Sequence, residues 1–162
     1  MELSFRTADY NDPKDAQVVV DLLNQYALDP MGGGEALSGS VKACLVEKLA
    51  ALPTAFSVIG YVDKSTPIAL ANCFMGFSTF KAKPLVNIHD CYVNTQYQGL
   101  QVGQRLLAEI ESIARDRGCC KVTLEVLEGN LRAQAAYKKF GFSSYALDED
   151  NGSALFWEKA LV

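Results

Sequence analysis

Residues 88–127 constrain the fold more than any other stretch. An apolar run ends near Val93, a helix-periodic stretch covers 101–117, and the run KVTLEVL follows at 121–127. In the middle piece Val102, Leu106, Ile110 and Ile113 share one helical face, while Gln101, Arg105, Ser112, Arg115 and Asp116 share the other. Gly118 is placed to end the helix in a left-handed conformation. Strand, helix and strand in that order read as a βαβ crossover, which joins parallel strands.

The chain before this unit has a different rhythm. Residues 3–6 read as a short strand, and Asp12-Pro13 opens a helix with Val18, Leu22, Leu23 and Tyr26 on its apolar stripe. Residues 28–37 read as a loop, because Gly32, Gly33 and Gly34 in succession hold a helix poorly. A second helix is expected over 38–52, with Val41, Leu45 and Leu49 on one face. Strands at 55–62, 68–80 and 85–93, with a turn at 63–67, lie close enough in sequence for an antiparallel meander. Beyond the crossover, Asn130 caps a helix through Phe140 and Gly141 stops it. Two strands, 142–147 and 154–161, flank a turn at 148–152. The order β-α-α-β-β-β-α-β-α-β-β is that of a mixed α/β (α+β) domain.

A chain of 162 residues is expected to form one domain, 1–162. The apolar fraction of 49% is enough for a core without disulfides or metal. A net charge of −4 argues against nucleic acid as a partner. No apolar run reaches the ~20 residues needed to cross a bilayer, so no membrane partner is expected. The first residues lack the pattern of a signal peptide, which predicts a cytoplasmic location. The five cysteines (Cys44, Cys73, Cys91, Cys119, Cys120) are odd in number and form no CxxC, so reduced core thiols are the expectation. With one histidine, His89, no metal site is expected.

The junction of strand and helix can carry chemistry. Asn94, Thr95 and Gln96 form a polar loop, and Gln98-Gly99-Leu100-Gln101-Val102-Gly103 leads into the long helix, with Gln104 in its first turn. The first N–H groups of a helix have no internal partner and sit at its positive end, a ready cradle for a pyrophosphate. An ordinary strand–helix turn with two glycines fits the spacing equally well. The chain holds neither a GxxxxGK[ST] loop nor G-x-G-x-x-G, which excludes a P-loop and a dinucleotide fold. A second segment, NLRAQAAYKKFGF at 130–142, sets Asn130, Ala133, Tyr137 and Phe140 at roughly helical spacing.

Together these segments resemble the GNAT superfamily of N-acetyltransferases. The family's donor motif, R/Q-x-x-G-x-G/A, is similar to Gln98 through Gly103. Its later signature resembles Asn130, Ala133 or Ala136, Tyr137, Gly141 and Phe142. The run IHDCYVNTQYQG at 88–99 resembles its fourth strand. The element order is similar over essentially the whole chain. One departure is Gln101, where the family usually has glycine.

The resemblance implies a mixed, mostly antiparallel sheet of about seven strands whose fourth and fifth strands splay apart. It implies acetyl-CoA as donor and no metal. The pyrophosphate would lie on the amides of Gly99, Leu100, Gln101, Val102, Gly103 and Gln104, with Gln98 and Asn130 nearby. The pantetheine would run beside Cys91-Tyr92-Val93, where a main-chain N–H near Val93 would meet the thioester carbonyl. An acceptor amine would attack directly in a ternary complex. Tyr137 matches the family's general acid. His89 and Asp90 stand where relatives carry a base; adjacent strand residues face opposite ways, so one of the two is expected to face the acceptor. Tyr26 and Glu35 are candidates for the acceptor side. Arg132, Lys138 and Lys139 fit either the ribose 3′-phosphate or a solvated face. The implied activity is acetylation of a primary amine on a small molecule. A protein or peptide acetyltransferase and a non-catalytic acyl-CoA sensor are the alternatives. Dimers are common in this family, so a homodimer is allowed.

Overall fold

The computed structural model describes residues 1–148 and 150–161. Glu149, within the expected turn, and Val162, the last residue of the expected domain, lie outside the described residues. The chain divides into two compact units, Met1–Leu124 and Glu125–Val162.

The first unit holds β1 (Leu3–Thr7), α1 (Pro13–Leu28), α2 (Gly39–Ala50), β2 (Ala55–Val62), β3 (Thr66–Ser78), β4 (Lys83–Val93), α3 (Val102–Asp116) and β5 (Val122–Leu124). The strands form one five-stranded sheet in sequence order. Pairing is antiparallel from β1 to β4, and β5 joins β4 in parallel. The expected meander and βαβ crossover are both present. α1 begins as its sequence dictates: the Asp12 side chain accepts from the Lys14 N–H at 2.9 Å, and Pro13 occupies the first turn.

Alternation along the strands sorts the core onto two faces. Ile59, Tyr61 and Leu70 join Val19, Leu22, Val46 and Leu49 in one cluster, so α1 and α2 cover that face. Phe5 and Gly60 point the other way, where Arg105 of α3 lies over the Phe5 ring at 5.7 Å. Val102, Leu106 and Ile110 are buried there, as the stripe on α3 requires.

In the second unit α4 (Leu131–Phe140) starts at Asn130, whose side chain accepts from the Ala133 N–H at 3.1 Å, and ends at Gly141. The two strands expected at 142–147 and 154–161 do not form among the described residues, so the sheet has five strands and not about seven. A single bridge pairs Ala146 with Ser153, and the Ala154 N–H donates to the Tyr145 carbonyl at 2.8 Å. Past that bridge Leu155, Phe156 and Trp157 are exposed. Strand propensity depends on context, and one bridge makes no ladder of it.

Candidate active site

β4 carries a bulge that organises the site. Asn72 pairs with Asp90, but Cys73 pairs with Ile88, so His89 is an extra residue with no partner on β3. Alternation would have set His89 and Asp90 on opposite faces. The bulge instead brings both to the α1 side of the sheet, and both line one cavity. Simple alternation, which would separate the two side chains, therefore does not hold at this point of β4.

That cavity measures about 330 Å³. Leu23, Tyr26 and Ala27 from α1 line it, with Gly32, Leu37, Leu45, Leu49, Asn72, Phe74, His89 and Asp90. The His89 and Phe74 rings meet edge to face, 5.5 Å between centroids. Burial pushes the Tyr26 phenol pKa up, and the Asp90 carboxylate raises it further. Gly32 is required by packing, since a Cβ there would lie 2.0 Å from the Tyr26 carbonyl oxygen. Among the described residues no cationic side chain pairs with Asp90. The cavity therefore presents one uncompensated carboxylate within a mostly apolar wall.

Asp90 is held from behind. Its Oδ2 accepts from Asn72 Nδ2 at 3.0 Å, and Asn72 Oδ1 accepts from Ser57 Oγ at 2.6 Å. The Tyr10 hydroxyl stands 2.7 Å from Ser57 Oγ. Ser57 and Asn72 are buried. Sequence reasoning missed both. Their signal was present: each is a polar residue inside an otherwise apolar strand run, AFSVIGYV and IALANCFM.

The bulge also sets which amides of β4 face outward. The Val86 N–H donates to the Lys121 carbonyl on the β5 side, whereas the Asn94 N–H donates to Ile68 on the β3 side. Counting back from Asn94 by twos places the Tyr92 N–H on β3 and directs the Cys91 and Val93 N–H groups away from it. β5 pairs with β4 at Val86, Asn87 and Ile88, and among the described residues no strand pairs with that edge from His89 to Val93. This is the splay the resemblance implied.

Beyond Val93 the chain makes a 3₁₀ turn at Thr95–Tyr97 and enters α3. The Gln98 side-chain amide donates to the Val93 carbonyl at 3.0 Å. Gly99 and Gln101 both adopt left-handed backbone, φ 83° and 62°. Gln101 precedes the helix without a side-chain cap, and the first helical bond is Arg105 N–H to the Gln101 carbonyl. A Cβ on Gly103 would meet only Val93, at 3.9 Å. α3 thus begins with an uncapped, open first turn beside the open edge of β4, an arrangement suited to a diphosphate.

The remaining predicted residues fall as follows. Leu100 is exposed, Val102 is buried, and Gln104 is half-buried in the first turn of α3. Cys91 is half-buried. The Tyr92 hydroxyl donates to Gln25 at 3.3 Å, and its ring lies 6.0 Å from that of Tyr26. Glu35 is exposed and does not line the cavity. In the second unit the side chain of Asn130 serves as the α4 cap. Tyr137 meets Phe142 edge to face at 5.9 Å.

The family model for the acetyltransferase (GNAT) family matches residues 26–142. The chain belongs to the GNAT family. The GNAT match runs from Tyr26 of the cavity wall through the uncapped start of α3 to Phe142. Thialysine N-ε-acetyltransferase of Bos taurus is 32% identical over 68 residues, 42% of this chain and 39% of that protein. Aminoglycoside N(6′)-acetyltransferase type 1 of Stenotrophomonas maltophilia is 32% identical over 62 residues, 38% of this chain and 40% of that one. This GNAT chain matches between 39% and 54% of the length of its thialysine-acetylating relatives. The solved AAC(6′)-Iy, bound to CoA-S-monomethyl-acetylneamine, is similar in fold. Its TM-score is 0.76 at 15% identity, over 99% of this chain and all (100%) of that one.

Proposed function

We propose that this protein, acting as one acetyltransferase domain, moves an acetyl group from acetyl-CoA to the primary amine of a small molecule, by direct attack in a ternary complex. The uncapped start of α3 supports the donor side: the amides of Val102 and Gly103 receive the diphosphate, while the outward Val93 N–H stabilises the charge that grows on the thioester oxygen. Asp90, with His89 beside it, takes the proton from the ammonium so that its lone pair can attack. The resemblance assigns Tyr137 to the departing sulfur, as proton donor.

The observation that carries the acceptor reading is the cavity itself. One carboxylate within walls of leucine, tyrosine and phenylalanine suits a single ammonium on a slender aliphatic stem. At about 330 Å³ it is at the small end of ligand pockets. The ε end of thialysine, the substrate named for the mammalian relatives, has that form, with its amino-acid head group left outside the cavity. Aminoglycosides carry several cations, for which the cavity offers no second carboxylate among its lining residues.

Thiol release from acetyl-CoA, measured against thialysine, lysine, 1,4-diaminobutane, sisomicin and short peptides, tests the reading. Turnover greatest with the slender amines is expected. Tight CoA binding without turnover on any amine would replace the enzyme with a sensor, and turnover confined to peptides would move the acceptor to proteins.

A further inference from the structure

We infer that Tyr10, Ser57 and Asn72 form a positioning chain that fixes the rotation of the Asp90 carboxylate and reserves its Oδ1 for the acceptor amine. The inference rests on the reading of Asp90 as the group that receives the amine proton.

The polarity of the chain is determined link by link. Asn72 Nδ2 can only donate, so Asp90 Oδ2 accepts at 3.0 Å. The opposite amide orientation would set two acceptor oxygens against each other. With Asn72 Oδ1 thereby facing Ser57, the serine spends its one proton on that oxygen, at 2.6 Å. The Tyr10 hydroxyl must then donate to Ser57 Oγ, at 2.7 Å. Every donor points toward Asp90. A proton on Oδ2 would meet the N–H of Asn72 with nothing to accept it, so Asp90 gains its proton on Oδ1. That oxygen has no partner among the described residues.

An amide cannot pass a proton along as a hydroxyl can, so Asn72 makes this an orienting chain and not a wire. The bulge supplies the register: regular pairing continued from Cys73–Ile88 would set Asn72 opposite His89 instead of Asp90. Ser57 and Asn72 are 0% and 3% exposed. Enclosing two polar side chains where alanine or valine would pack costs stability unless each bond is made. The chain ends at a group facing the cavity, which gives that cost a purpose.

The test is a double-mutant cycle against Asp90, read as kcat with acetyl-CoA and thialysine. Asn72→Ala is expected to lower kcat about thirtyfold in the wild-type background, and by less than about twofold when Asp90→Asn is already present. The KM for acetyl-CoA is expected to stay within about twofold throughout. Tyr10→Phe, which removes one half-buried hydroxyl and keeps the ring, is expected to cost about threefold with wild-type Asp90 and nothing with Asp90→Asn. Equal losses in both backgrounds would make Asn72 and Tyr10 merely structural and overturn the inference alone. An unchanged kcat in Asp90→Asn itself would overturn the base assignment as well. A readout without any acceptor comes from NMR of the Asn72 side-chain amide. Its hydrogens are expected to exchange slowly and to shift in both Tyr10→Phe and Asp90→Asn. Exchange as fast as that of a surface asparagine would sink the chain.

Discussion

The side-chain amide of Gln98 donates to the main-chain carbonyl of Val93 across 3.0 Å, tying the last residue of β4 to the segment that leads into α3. This bond fixes the distance between the open strand edge and the uncapped helix start.

Loss of that tie is expected to weaken donor binding more than chemistry. Gln98→Ala removes the side-chain hydrogen bond to Val93, about 1 kcal/mol, or roughly a fivefold rise in the Kd for CoA. Calorimetry with CoA, alongside kcat at saturating acetyl-CoA, separates the two effects.

Gln101 holds a left-handed backbone at φ 62°, a conformation that costs a side chain about 1 kcal/mol relative to glycine. The position is the one where the family usually carries glycine, and the geometry gives the reason. Gln101→Gly is expected to raise the melting temperature by about 2–4 °C, a shift calorimetric scanning resolves.

Tyr137→Phe tests the acid. Removing a general acid costs typically about a hundredfold in rate. A fall of that order in kcat with CoA affinity within a factor of about two is the expected result. Steady-state kinetics and CoA titration of the variant provide the check.

Asp15 is buried in the first turn of α1 and accepts two bonds from Arg6, each 2.6 Å, and one from the Asp9 N–H at 2.9 Å. The Arg6 guanidinium holds its carboxyl pKa below the ordinary value of about 4. A carboxyl depressed in the folded state stabilises the protein fully above its unfolded pKa. That stabilisation is lost as pH falls through the folded value. Asp15→Asn is accordingly expected to cost about 2 kcal/mol at pH 7 and progressively less below pH ~4. Urea denaturation of both proteins across that range measures it.

Elements with local punctuation were legible in the sequence. α1 with its Asp12 cap, β2, and α4 between Asn130 and Gly141 sit where capping and alternation put them. The strand–turn–helix junction was legible too, because a strand, a glycine turn and an amphipathic helix are consecutive in the chain. What escaped depends on pairing. No residue type announces that His89 is unopposed, so alternation separated two side chains that share a cavity. Ser57 and Asn72 lie fifteen positions apart and meet Asp90 only once three strands are in register. The runs at 142–147 and 154–161 had strand chemistry, yet among the described residues they meet in a single bridge.

The unopposed His89 makes the site depend on arithmetic. Let β4 pair regularly through that point, with His89 opposite Asn72, and every main-chain group after it inverts: Tyr92 presents its amide outward, Val93 turns inward, and Asn72 loses Asp90. Replace His89 by another side chain and the parity survives. The bulged pairing, more than the identity of that residue, keeps the outward amides of β4 and the Asn72–Asp90 pair in phase.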